Sequence, residues 1–325
     1  MQFLNWRKNL LYLNHILNHA IKTVPYYSSL GIRPCLEDFP VVNKEIIRIN
    51  QNQFLSNQFK KEKLYKVTTS GSTGTPFTVY KDPGKLARHK AENIYFSELA
   101  KYNFGTKLFY LRVWNNVNKK SALKCFFENL VMQDAATLDG KNLENFISKL
   151  KKDPLPKSIL AFSSTCEGLV QYLDSKSEEL HATNVQSIIT ISETLPQQVK
   201  QKLENYFNCP VISRYSNIEN VFIAQQCLEE NNEYHINNAS FIIEILDLER
   251  DVPISEGNLG RIVITDLFNF GMPLIRYDTG DLGVLKNKSI CSKNNEVFSC
   301  LLYTSDAADE RSSVDLGGRR IFKKK

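Results

Sequence analysis

Leu10, Leu13, Leu17, Ala20, Ile21 and Val24 recur at intervals of three and four, the period of one helical face, and Pro25 stops the run. An irregular stretch follows, then a lysine-rich segment from Lys60 to Lys66 that leads into VTTSGSTGTPFTVYKD. The small residues from Thr68 to Thr75 cannot pack a core and predict a loop, with a strand leaving it around Phe77 and Val79. A helix is predicted over Lys85–Ala100 and a strand over Lys107–Val113. From there the chain alternates. Leu143, Phe146, Ile147 and Leu150 mark a helix, Ser158–Phe162 a strand and Cys166–Leu173 a helix. Ser187–Ile191 reads as a strand, Pro196–Phe207 as a helix with Pro in its first turn, and Val211–Ser213 as another strand. Such alternation predicts βαβ units, hence a largely parallel sheet with helices outside it. After Tyr234 the texture turns to strands, at Ser240–Leu246 and Arg261–Thr265. The expected class is α/β with a β-rich second portion.

Composition narrows the function. With 42% hydrophobic and 23% charged residues in 325, disordered, collagen-like and small disulfide-framework classes are excluded. The seven cysteines stand far apart with no CxxC pair, which fits thiols in a reducing cytoplasm. No apolar run approaches the roughly 20 residues a bilayer span needs, and the start lacks a charged-then-apolar signal pattern. The expectation is a cytoplasmic protein without membrane insertion. A net charge of +6 with no block of like charges does not imply nucleic acid, although it favours an anionic small ligand.

Residues 300–325 break this pattern with Ala-Ala, Gly-Gly and Arg-Arg and no amphipathic period. Cys300 to Glu310 resembles the in-frame translation of a transposase-type sequencing-library adapter, and Ser313 to Ile321 the flow-cell arm of the same adapter. The segment is therefore expected not to be native, and the natural protein to continue past Ser299.

Three motifs carry candidate chemistry. In Thr68-Thr69-Ser70-Gly71-Ser72-Thr73-Gly74-Thr75-Pro76, glycines permit torsions that let amides converge on an anion, and hydroxyls add donors for phosphate oxygens. No Gly-Lys-Ser/Thr follows, so this is not a Walker A loop. Arg214-Tyr215-Ser216-Asn217-Ile218-Glu219-Asn220 directly follows the strand Val211–Ser213, and ligands of parallel sheets sit at the carboxyl ends of strands. An aromatic face there stacks on a base, and a carboxylate holds magnesium beside phosphates. In Pro273-Leu274-Ile275-Arg276-Tyr277-Asp278-Thr279-Gly280-Asp281 an apolar strand runs toward a Thr-Gly-Asp turn, where an ionised Asp accepts both hydroxyls of a ribose. Taken singly, each has a plainer reading: a flexible turn, an exposed loop with an incidental Glu, and an Asx-type turn closing a hairpin.

Together, in this order and spacing, the motifs resemble the AMP-forming (adenylate-forming) acyl ligases, in the phenylacetate–CoA ligase-like branch that includes capsule-biosynthesis (CapK-type) proteins. VPYYSSLGI, ATLDGKNLENF, ISETL, NCPVISRYSNIEN and GRIVITDLFNFGMPLIRYDTGDLG add to the resemblance, which covers Leu10 to Ser299. It implies a large N-terminal domain of mostly parallel sheets flanked by helices plus a β-rich subdomain. The core would span residues 1–283 and the start of a connection 284–299, with the family's small C-terminal domain missing. It implies ATP, Mg²⁺ and coenzyme A as cofactors and a small-molecule carboxylic acid, aryl acids among the candidates, as substrate. The acid would be activated as an acyl-adenylate and passed to the thiol. Acyl transfer to a sugar in capsule or surface-polysaccharide biosynthesis, and a non-catalytic nucleotide-binding protein, stand as alternatives.

By the same resemblance Ser70, Gly71, Ser72, Thr73, Gly74 and Thr75 cradle the β- and γ-phosphates. Thr73 and Glu219 count as catalytic, with Glu219 ligating Mg²⁺. Tyr215 lies against adenine beside Ser216, Asp281 holds the ribose, and Ser192 and Glu193 line the adenine and acyl pocket. Thr75 stands where many relatives place a Lys, and Ile218 replaces the usual Ser/Thr before the magnesium glutamate. With the C-terminal lysine-bearing domain absent as well, the fragment is expected to turn over poorly. Cys227, His235 and Cys291 would supply three ligands to a structural zinc, against the alternative of unrelated buried thiols. Their spacing is looser than a C-x2-4-C pair.

Overall fold

The computed structural model describes residues 2–68, 77–114, 118–135, 140–176, 180–228, 233–286 and 297–301. The helices are α1 Gln2–Thr23, α2 Pro25–Ser28, α3 Lys44–Ile49, α4 Pro83–Leu99, α5 Ala122–Phe127, α6 Gly140–Lys152, α7 Ser163–Lys176 and α8 Gln197–Phe207. Pro25 both ends α1 and starts α2, since its missing N–H is harmless only in a first turn. Two short strands, β1 Tyr65–Thr68 and β2 Thr78–Lys81, form an antiparallel hairpin. The hydroxyls of Thr68 and Thr78, its last register pair, lie 3.1 Å apart.

All other strands join one sheet. They are β3 Lys107–Arg112, β4 Leu130–Asp134, β5 Lys157–Phe162, β6 Val185–Ile191, β7 Val211–Asn217, β8 Val221–Gln226, β9 Tyr234–Ile236, β10 Phe241–Leu246, β11 Leu259–Asp266, β12 Tyr277–Lys286 and β13 Val297–Leu301. Their spatial order is β10-β11-β12-β13-β9-β8-β7-β6-β5-β3-β4. From β4 to β7 every pairing is parallel, joined by helical crossovers. From β7 to β10 every pairing is antiparallel. The β-rich portion is thus continuous with the parallel half through β7, the strand that carries the second motif.

Burial follows the period of each element. α6, α7 and α8 set Leu143, Phe146, Ile147, Leu150, Leu169, Leu173 and Leu203 against Phe109, Ile159, Ile188 and Val211 of the parallel strands. A second core joins α1, α2 and β2 to the segment 267–277. There Tyr27 is fully buried. The two histidines of α1, His15 and His19, rest against Phe270. α4 lies over β8, where Phe96 stacks on Phe222 at 4.1 Å.

Two local expectations are corrected. Arg214 to Asn217 do not form a loop after a strand; they are the second half of β7, kept extended by pairing with β8. Nor is Pro273–Ile275 a strand running to a Thr-Gly-Asp turn: β12 begins at Tyr277 and contains Thr279, Gly280 and Asp281. The register against β11 jumps there, from Asp278 opposite Val263 to Leu282 opposite Arg261. Gly280 takes a φ of 83° at this bulge, a torsion that glycine alone adopts freely. Residues 302–325 lie outside the described residues, and the junction at Ser299–Cys300 falls inside β13, whose backbone pairs with β12. Among the described residues, no helix is long and apolar enough to cross a membrane.

Candidate functional site

The site grows from the turn between β7 and β8. Glu219 is buried in this turn (2% exposed), which costs a carboxylate dearly unless partners meet it. Tyr277 at the head of β12 donates its hydroxyl to Glu219 Oε1 at 3.1 Å, and Lys44 Nζ stands 3.6 Å from the same oxygen. Lys44 is in place because Val42 bridges to β12: its N–H donates to Arg276 O, and Asp278 N–H donates to Val42 O. From β2 the buried Lys81 donates Nζ to Ile218 O at 2.8 Å. One lysine therefore ties β2 to the turn that presents Glu219.

Between strands β7 and β12, the Tyr215 hydroxyl donates to Asp281 Oδ2 at 2.7 Å, and Asp281 N–H donates to Thr279 Oγ1 at 3.1 Å. Tyr215 is itself only 2% exposed and packs into the antiparallel half's core. Burial pushes the Asp281 carboxyl up to about 6; the Tyr215 hydrogen bond and the Lys44 charge pull it back, while nearby Glu219 pushes it further up. Burial, then Lys85, drives the Lys81 ammonium down to about 8, against Asp266 and Glu219. Tyr277 is raised well above the usual phenol range by burial and by Glu219. Tyr215, Glu219, Tyr277, Asp281, Lys44 and Lys81 thus form one electrostatic unit.

Ile191 pairs with Arg214, so Ser192 follows β6 at the level of Tyr215. Ser192 is exposed at a φ of 77°, and Glu193 beyond it accepts from Ser164 N–H at the start of α7 at 3.3 Å. Ser216 is half-buried in β7. Val221 holds a φ of 74° directly after the Glu219-Asn220 turn, and Arg276 one of 48° directly before Tyr277. A positive φ is an outlier for a β-branched residue, and such strain gathers where surrounding structure over-determines the backbone. Three of these positions flank the candidate site.

Ser70, Gly71, Ser72, Thr73, Gly74 and Thr75 lie outside the described residues, as does Cys291. Cys227 follows β8 and His235 lies in β9, the neighbouring strand. Among the described residues no group of three His, Cys, Asp or Glu side chains is placed to hold a metal. Lys44, Lys81 and Tyr277 escaped sequence reasoning. Tyr277 and Lys81 sit within or just after the quoted motifs, and VVNKEIIR carries only a helix-start signal, the Asn43 cap on Ile46 N–H.

The architecture is that of the large N-terminal domain of adenylate-forming enzymes. The chain superposes on 2-hydroxyisobutyryl-CoA ligase, solved in complex with 2-HIB-AMP and CoA, with a TM-score of 0.70 at 15% identity over 90% of this chain and 68% of that one. In sequence it is homologous to the protein CapK of Staphylococcus aureus, 28% identical over 259 residues, 78% of this chain and 55% of that protein. It is likewise homologous to the phenylacetate–coenzyme A ligase of Pseudomonas putida, 24% identical over 287 residues, 82% of this chain and 63% of that enzyme. No family profile matches the chain. The chain therefore spans a little over half the length of these curated relatives.

Proposed function

We propose that the chain is the adenylating core of an ATP-dependent, AMP-forming acid–thiol ligase. The observation that carries this reading is the gathering of Asp281–Tyr215 and Glu219–Tyr277–Lys44 at one place, with Lys81 of β2 tied to the turn that bears Glu219. A carboxylate oxygen of the acid would attack the α-phosphorus of ATP while the bond to the pyrophosphate bridging oxygen breaks, leaving an acyl-adenylate. The thiol of coenzyme A would then attack the acyl carbonyl, lose its proton, and expel AMP.

In this reading the ionised Asp281 accepts both ribose hydroxyls, and Tyr215 orients that carboxylate while its ring lies beneath adenine. Ser192, Glu193 and Ser216 border the adenine and acyl pocket. Ser70 to Thr75, with Thr73 central, hold the β- and γ-phosphates. Glu219 offers the hard oxygen donor Mg²⁺ prefers, next to a hydroxyl and with an ammonium beyond hydrogen-bond distance, so the donor chemistry fits that ion. When bound, magnesium neutralises phosphate charge. Lys44 adds a cation beside Glu219, so charge developing on phosphate oxygens would meet a group already in place.

Acid-dependent exchange of pyrophosphate into ATP, run over aryl and aliphatic acids, tests the reading. Exchange is expected to need an acid and to vanish in Asp281→Ala. Absence of exchange with every acid, together with an ATP affinity indifferent to Asp281→Ala, would sink it.

A further inference from the structure

The amino-terminal ends of β3 and β4, at the far end of the parallel strands from the site, carry an unusual surface. On the short helix α5, Leu123, Phe126 and Phe127 are 68%, 79% and 77% exposed. Beside the end of this helix lies the turn before β3, because Asn129 Nδ2 donates to Gly105 O at 3.0 Å. That turn holds out Phe104, 75% exposed. Apolar groups of this size are seldom left in water side by side unless something covers them.

Lysines accompany the patch along the chain. Lys119, Lys120 and Lys124 stand within ten residues that hold one acid, Glu128, which reaches Lys120 at 2.5 Å and Lys124 at 4.0 Å. Exposed aromatic side chains with lysines beside them on the same segment match the boundary between lipid headgroups and acyl chains, where rings enter and cations meet phosphates. A second copy of the chain fits less well. The four side chains offer about 500–600 Å², against the about 800 Å² each partner gives in a stable interface. A two-fold contact here would also set lysines of one copy against those of the other.

We propose that this end of the molecule docks peripherally on an anionic lipid surface, with Phe104, Leu123, Phe126 and Phe127 entering the interface and Lys119, Lys120 and Lys124 on the headgroups. The candidate site at the carboxyl ends of the strands then stays open to solvent. The inference does not depend on the adenylating activity.

Sedimentation of the chain with phosphatidylglycerol-rich vesicles tests it, with pure phosphatidylcholine vesicles as reference. Binding is expected only to the anionic vesicles and to weaken as salt shortens the screening length. Lys119→Gln with Lys124→Gln should weaken binding about fivefold for each lysine lost. Phe126→Ser with Phe127→Ser should abolish it while the circular dichroism spectrum and melting temperature stay unchanged, since both side chains are exposed. Absent binding, or equal binding to both vesicle types, overturns the proposal. So does a concentration-dependent dimer in sedimentation velocity that the Phe pair disrupts, which would assign the patch to a second copy.

Discussion

Tyr215→Phe removes one oxygen and keeps the ring, so it isolates the hydrogen bond to Asp281. That bond, 2.7 Å long, reaches a carboxyl that burial has already pushed up to about 6. A hydrogen bond to a charged group is worth about 1.5–3 kcal/mol, and about 1.4 kcal/mol moves a pKa by one, so Asp281 is expected to rise to about 7 or 8 in the variant. If ribose hydroxyls need the ionised form, the variant binds nucleoside about tenfold more weakly than the parent at about pH 6.5 and equally well at about pH 9. Adenosine is the ligand of choice because it has no phosphate to titrate. Displacement of a fluorescent nucleotide across the pH range reads the affinities. The folding effect has the opposite sign. A carboxyl raised from 3.8 to about 6 contributes stability that is whole below 3.8 and lost as pH climbs through 6. An affinity loss equal at every pH would refute the reasoning, because it would show Tyr215 acting through shape rather than through the Asp281 charge.

Lys81→Met should raise the Mg²⁺ concentration needed for ATP binding about tenfold, since it frees the Ile218 carbonyl that fixes the turn bearing Glu219, and Lys81→Arg should restore part of the loss. An unaltered magnesium dependence would remove Lys81 from any positioning role. The Lys85–Asp266 pair, 2.8 Å apart with both side chains buried, makes Asp266→Asn costly. An uncompensated buried ammonium is worth about 3–5 kcal/mol, a melting temperature lower by about 10 °C, and a drop of a degree or two would contradict it. Gly260→Ala places a Cβ 2.2 Å from Leu246 O and 2.7 Å from Ile254 Cδ1, so β10 and β11 must part. A loss of about 1–3 kcal/mol by urea unfolding is expected.

The sequence foretold what depends on period and missed what depends on partners. α6 and α8 were legible because their buried residues repeat at helical spacing against a sheet whose strands are apolar on both faces. α5 was not, since Leu123, Phe126 and Phe127 put its apolar groups into solvent and erase the amphipathic contrast. The Thr-Gly-Asp segment looked like a turn on its composition, and only the pairing of the residues on either side of it with β11 turns it into a bulged strand. Asp281, Tyr215 and Glu219 stood out through motif order. The lysines that complete the site did not, for a lysine is ordinarily a surface residue. Lys81 finds its carbonyl 137 positions away, and Lys44 its carboxylate at Glu219 through a bridge to β12. Both are placed by the way the N-terminal segments dock on the segment 267–277. That docking also sets Tyr27 against the Pro273 carbonyl and Asp82 against the amides of Phe270 and Gly271. The cations of the site therefore belong to tertiary structure, and a substitution in the α1–α2 core should disturb nucleotide binding through Lys44 before it disturbs the parallel sheet.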